Sequence, residues 1–130
     1  MNAIEQAIGQ YLAAMPNCPP IAWPNRDFTP NGTYIEFRHA PNERIDNTID
    51  AIGAYQTGLF LLTVVSDKNK FTTASNALAS RIMDRFPKGL RIDAGDSGTV
   101  MIYAPPSPGS GFPDGAYWRQ PVTIPYVTEG

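Results

Sequence analysis

Leu59-Phe60-Leu61-Leu62-Thr63-Val64-Val65 decides the architecture, because it is apolar on both faces and rich in β-formers. Successive side chains of a strand point to opposite faces, so such a run predicts a central strand covered on both sides. Upstream, residues 34–39 alternate: Ile35 and Phe37 share one face, Tyr34, Glu36 and Arg38 the other. That is the pattern of a half-buried strand. Pro30-Asn31-Gly32 marks a turn before it, with glycine supplying positive φ. Between the two strands, residues 40–54 are polar, with Ile45, Asn47, Ile49 and Ala51 in two-residue phase. They read as the arms of a solvated hairpin whose apolar faces are too thin for a core.

Helical periodicity flanks this pair. Ile4, Ala7, Ile8, Tyr11, Leu12 and Met15 predict an amphipathic helix of about four turns, with Glu5 near its positive end and Pro16 stopping it. After the central strand, Ser66-Asp67-Lys68-Asn69 offers capping side chains. Phe71, Ala74, Leu78, Ile82 and Phe86 then form the stripe of a second helix, ended by Pro87-Lys88-Gly89. Val100-Met101-Ile102-Tyr103 reads as a short strand, residues 104–115 (APPSPGSGFPDG) as a loop, and 117–127 as a final strand. The expected fold is α+β: a largely antiparallel, or mixed, β-sheet with two helices on one face and a protruding hairpin or arm. A single domain over 1–130 is expected, without internal repeats.

Composition narrows the function classes. Ten basic and twelve acidic residues give a formal net charge of −2, which disfavours a protein built to grip nucleic acid. Charged residues at 17% and apolar residues at 42% fit a packed globular domain rather than a disordered chain. One cysteine, Cys18, excludes an internal disulfide framework and a multi-cysteine metal cage. No apolar run approaches the roughly 18–20 residues needed to span a bilayer, and the first six residues lack the marks of a signal peptide. A soluble domain made in the cytoplasm is expected.

Thirteen prolines are many for this length, and two of them constrain the last strand. Pro121 and Pro125 are four apart, so both missing N–H donors lie on one side of the strand. That side cannot run a regular ladder, which places the strand at an edge or has it leave the sheet. Trp118, Val122, Ile124 and Tyr126 share the other phase and should pack inward. The prolines either guard an edge against aggregation or shape a contact with a neighbouring subunit.

Strings that suggest chemistry have simpler readings. Gly95-Asp96-Ser97-Gly98 resembles the nucleophile segment of chymotrypsin-like proteases, with His39 and Asp46 or Asp50 upstream. That family needs two β-barrels, and a tight turn explains the string better. Asp93 and Asp96 lack the alternating ligands and closing glutamate of a calcium loop. His39, the only histidine, reads as a satisfied surface or rim residue. Pro105-Pro106-Ser107-Pro108 matches a polyproline ligand literally, but without a nearby basic residue it reads as a stiffened loop. Arg81, Arg85, Lys88 and Arg91 suit a helix C-terminus before they suit a phosphate backbone. Cys18 has no basic sequence neighbour to activate it. No catalytic, cofactor-binding or metal-binding residue is assigned. Aromatics beside stiff backbone, as in Trp23-Pro24, Phe112-Pro113 and Tyr117-Trp118, suit either protein contact or the domain's own core.

The same residues carry a resemblance to the tail-terminator-like family of tailed bacteriophages, a group of minor tail proteins. The matching elements are the early helix, Ile21-Ala22-Trp23-Pro24-Asn25, and Tyr34-Ile35-Glu36-Phe37. They continue with Ala54-Tyr55-Gln56-Thr57-Gly58-Leu59-Phe60-Leu61 and the helix at 70–86. The last is Tyr117-Trp118-Arg119-Gln120-Pro121-Val122-Thr123-Ile124-Pro125-Tyr126. The resemblance implies a non-enzymatic structural protein, a homohexameric ring that caps the finished tail tube and stops its polymerisation. It also implies a surface for joining the head. Implied partners are other copies of itself, the tail tube protein and a head-completion or connector protein, with no sequence-specific nucleic acid and no membrane. A head–tail connector or other tail accessory protein is the alternative, and the virion tail is the expected location. Candidate interface residues, chosen by position and chemistry, are Arg44, Tyr55, Gln56, Phe112, Tyr117 and Trp118.

Overall fold

The computed structural model describes residues 3–23, 32–45, 55–67, 73–95 and 98–129. Helix α1 (Ala3–Ala13) is followed by strands β1 (Ile21–Ala22), β2 (Tyr34–Ile45) and β3 (Tyr55–Asp67). Helix α2 (Thr73–Arg85) leads into β4 (Arg91–Asp93), β5 (Thr99–Met101), β6 (Ser107–Pro108), β7 (Phe112–Asp114) and β8 (Tyr117–Glu129). Among the described residues the strands form one curled sheet in the order β1-β2-β3-β8-β5-β4, with β6 and β7 also paired to β8. The fold is α+β as expected. The sheet is mixed, because β1 runs parallel to β2 while every other pair is antiparallel.

Both helices cover one face. Ile4, Ile8 and Leu12 of α1 and Leu78, Ile82 and Phe86 at α2 pack with Ile35 and Phe37 of β2. Phe60, Leu62 and Val64 of β3 and Val122, Ile124 and Tyr126 of β8 complete this core. The predicted helical stripes and strand phases therefore meet, with Phe71 and the Ala74 side chain lying outside the described residues. Arg85 donates from Nε and Nη2 to the Tyr11 carbonyl at 3.2 and 2.9 Å, and its guanidinium lies 4.0 Å from the Tyr11 ring centroid. Arg81 donates to the Pro16 carbonyl. The two arginines of α2 thus satisfy carbonyls at and just beyond the C-terminal end of α1, which otherwise lack intrahelical partners.

The last strand corrects the sequence expectation. β8 is not an edge: it pairs with β3 from Tyr117 to Val127 and, on its other side, with β7, β6 and β5 in turn. The two missing donors do fall on one side, where the ladder is irregular, as the proline spacing requires. The Pro121 carbonyl accepts from Gly109 N–H at 2.8 Å, so Pro121 and, four residues on, Pro125 turn their missing donors away from β3. On that side three short strands replace one continuous ladder. Gly109 O, the acceptor an N–H at 121 would serve, instead takes a hydrogen bond from Gln120 Nε2 at 2.7 Å. The segment expected to be a loop, 104–115, contains β6 and β7, and β4 was not foreseen.

Residues 40–45 of the expected arm continue the β2–β3 ladder, which runs to Ile45↔Tyr55 with an irregularity between Pro41 and Arg44. Residues 46–54 lie outside the described residues. So do 68–72, which hold half of the expected cap; Ser66 and Asp67 belong to β3. Gly32 adopts φ 81° before β2, as the turn reading requires. The 93–98 turn joins β4 to β5: Asp93 Oδ1 accepts from Gly95 N–H at 2.9 Å, and Gly95 and Gly98 have φ of 63° and 88°. Asp96 and Ser97 themselves lie outside the described residues.

Candidate functional site

His39 is placed differently from the surface or rim position expected of it. It is not at the rim: its side chain is 1% exposed and its ring stacks on Phe60 with centroids 4.6 Å apart. Nδ1 lies 3.0 Å from Glu5 Oε1 on α1, and Nε2 lies 2.6 Å from the Tyr126 hydroxyl on β8. With Glu5 ionised, Nδ1–H donates to it, and Nε2 of a neutral ring accepts from Tyr126. Burial pushes the Tyr126 phenol up to about 12. Tyr126 is fully buried, so the array offers no nucleophile to a substrate, and both His39 nitrogens are already engaged. It is a lock between helix and sheet. A Cβ at Gly58, which faces Tyr126 across the β3–β8 ladder, would lie 2.5 Å from the hydroxyl, so only glycine leaves room for this tyrosine.

Other chemistry-like positions are similarly absorbed. Burial raises the Cys18 thiol, against the opposing pull of Arg81 and Arg85, which makes it a poor nucleophile. Among the described residues no cluster of histidine, cysteine and carboxylates has the arrangement of a metal site. Among the described residues no helix is long and apolar enough to cross a membrane either.

The candidate interface residues fall into two groups. Arg44 and Gln56 are ladder partners, with Tyr55 beside them, at the distal end of the β2–β3 arm. Phe112, Tyr117 and Trp118 lie on β7 and the start of β8, where Trp118 pairs with Ser66 and Pro113. Gln56 and Ser66 are separated along β3 by roughly 30 Å, at about 3.3 Å per residue. The structure therefore brings the six together as two patches at opposite ends of the sheet. Phe112 is 46% exposed. Tyr117 and Trp118 are half-buried, and the Trp118 indole nitrogen is buried without a hydrogen-bond partner.

A further surface was signalled only by the double-sided apolarity of 59–65. On the face away from the helices, Arg119 donates to Glu36 Oε2 at 3.0 Å and to Asp114 Oδ2 at 2.6 Å, while Arg38 pairs with Glu36 at 3.2 Å. The two acids raise the Arg119 pKa further against its partial burial, chiefly through the Glu36 bond. Thr63 and Val65 are buried on this face, but Leu59 and Leu61 remain half-exposed. Leu61, Thr63 and Pro121 floor an open trough of about 570 Å³ between Arg38 on one wall and Phe112 on the other.

Solved structures share this architecture. One solved chain aligns over 98% of this chain and 92% of its own, with a TM-score of 0.77 and 22% identity. Another, from the virion of a native gene transfer agent particle, aligns over 98% and 95%, with a TM-score of 0.69 and 19% identity. The fold is thus shared with a virion component, and the sequence is more specific. The profile described as phage tail terminator protein matches residues 3–126, and the chain belongs to that family. It is accordingly a structural protein of phage tails, from a family that is not enzymatic. A search of curated proteins returned no match.

Proposed function

We propose that this protein caps the completed tail tube as a ring, most simply six copies, stops further tube polymerisation and presents the surface on which the head is joined. The observation that carries this reading is the family match over 3–126. The gene transfer agent chain, a virion component, is in keeping with a place in the virion and the family with the tail, and the proposal adds synthesis in the host cytoplasm. A closed ring needs two different patches on each copy, each meeting the other type on its neighbour. The arm end with Arg44, Tyr55 and Gln56 and the opposite end with Phe112, Tyr117 and Trp118 are far enough apart to be such patches. Tail tube protein and a head-completion protein are the remaining partners.

The ring would surround the path of DNA without reading its sequence. A net charge of −2 suits that, as does the engagement of Arg81 and Arg85 with carbonyls in and after α1. Electron microscopy of tails made without this protein tests the reading. Abnormally long tails are expected. Tails of normal length that fail to join heads would replace the terminator role with that of a connector.

A further inference from the structure

We propose that the trough on the uncovered face of the sheet receives residues 103–108 of a second copy of this chain. The inference rests on the self-association proposed above and adds a further pair of contacting surfaces to it.

The trough needs a cover. Residues 59–65 are apolar on both faces, and strands of that kind are ordinarily covered on both sides. The helices cover the face of Phe60, Leu62 and Val64, leaving Leu59 and Leu61 half-exposed on the other. The charges at the rim are already matched: Glu36 to Arg38 and Arg119, and Asp114 to Arg119. The trough therefore suits an uncharged insert surrounded by a polar rim, which is the anatomy of a protein interface.

The same chain carries such an insert. Tyr103-Ala104-Pro105-Pro106-Ser107-Pro108 has no charged residue and runs along the opposite flank of β8. Tyr103 is 44% exposed, and Pro105, Ser107 and Pro108 are exposed as well. Three prolines in six residues fix φ, so docking orders little that is not already ordered. They also remove three N–H donors that burial would otherwise leave in need of partners. Pairing of Ser107 and Pro108 with Thr123 and Val122 holds the segment in the plane of its own sheet, so it cannot lie across that sheet's face. Trough and insert can meet only between copies. Each copy offers one of each, which makes the contact head-to-tail.

Cysteine cross-linking on assembled tails tests this. In a Cys18→Ser background, Leu61→Cys is combined in turn with Tyr103→Cys, Pro105→Cys and Ser107→Cys. Oxidation of purified tails should give a ladder of covalent multimers beyond the dimer from at least one pair, while each single-cysteine chain stays monomeric on a non-reducing gel. A chain present at the tail end that forms no ladder with any pair overturns the proposal and leaves the capping role standing. Dimers from Leu61→Cys alone overturn it too, in favour of a trough-to-trough contact. A wild-type chain absent from the tail end would instead sink the proposed function. Leu61→Asp and Tyr103→Asp should each fold, with unchanged circular dichroism, and enter tails at least tenfold less than wild type. Normal incorporation of either folded variant also counts against the proposal. Should Leu61→Asp not fold, the cross-linking result still decides.

Discussion

On the helix side, β3 presents Phe60, Leu62 and Val64, and all three are fully buried; on the other side it presents Leu59, Leu61, Thr63 and Val65, of which Thr63 and Val65 are buried and the two leucines half-exposed. The residues of both rows are mostly apolar, so composition does not separate them. What separates them is the supply of partners. α1 and α2 fill one side, and the Arg119–Glu36–Asp114 ion pairs cover only one end of the other. A single copy is thus complete on one face and half complete on the opposite one, the asymmetry on which the proposed contact between copies rests.

The sharpest way to break this contrast is to truncate one residue from each row. Phe60→Ala removes a ring that touches His39, Phe37 and Tyr126 and should cost about 3–5 kcal/mol. Leu61→Ala, one residue on but half-exposed, should cost under about 1 kcal/mol in the free chain. Urea melts of the two variants measure both. Equal costs would mean that a single copy already covers both faces.

Gly58→Ala should come next, at about 1–3 kcal/mol, since a Cβ there meets the Tyr126 ring and hydroxyl within 2.7 Å. The effect should appear in thermal melts of the free chain, whereas changes to the open trough should show mainly in assembly. An unchanged melting temperature for Gly58→Ala would mean that Tyr126 can move, and that the helix-side core is looser than its burial implies.

Alkaline pH probes the same residue. Tyr126 is raised from 10 to about 12 by burial, so the unfolded chain loses this proton first. Its contribution to stability is complete below about pH 10 and is lost as pH rises towards 12. Tyr126→Phe should therefore weaken the fall in stability between those values, although it also loses the bond to His39. Identical slopes for wild type and Tyr126→Phe would show that the phenol is not held neutral by its surroundings.

The helix-covered face was the legible one. Its stripes are periodic, so Ile4, Ile8, Leu12, Leu78 and Ile82 announce themselves, and the unbroken run at 59–65 announces a strand with two faces to cover. Some residues of the motif strings behind the family resemblance pack in or against that core: Gly58 makes room for Tyr126, and Trp23 packs on Phe37 and against Gly9. His39 was misplaced because its partners lie 34 and 87 residues away, and no local pattern records such a contact. β6 and β7 were missed because proline and glycine mark turns by composition, whereas here a neighbouring strand recruits them into a ladder. The six interface candidates were chosen one by one, and a sequence carries no sign that they fall at two ends of one sheet.

A smaller effect than those in the core is expected where the two faces meet. Pro121 belongs to the trough, and its missing N–H would leave Gly109 O without its ladder donor; Gln120, in the opposite phase, supplies the replacement from its side chain at 2.7 Å. Gln120→Ala should cost about 0.5–1.5 kcal/mol, the net worth of one hydrogen bond. Pro121→Val restores an N–H at the position facing Gly109, so the double variant should recover part of that loss. The recovery has a limit, because Gly109 is already close enough to Pro121 that a Cβ would lie 2.7 Å from its Cγ. A double-mutant cycle in urea reads the coupling directly. Additive losses would show that Gln120 and Pro121 act independently, and that the side chain is not standing in for the backbone donor at all.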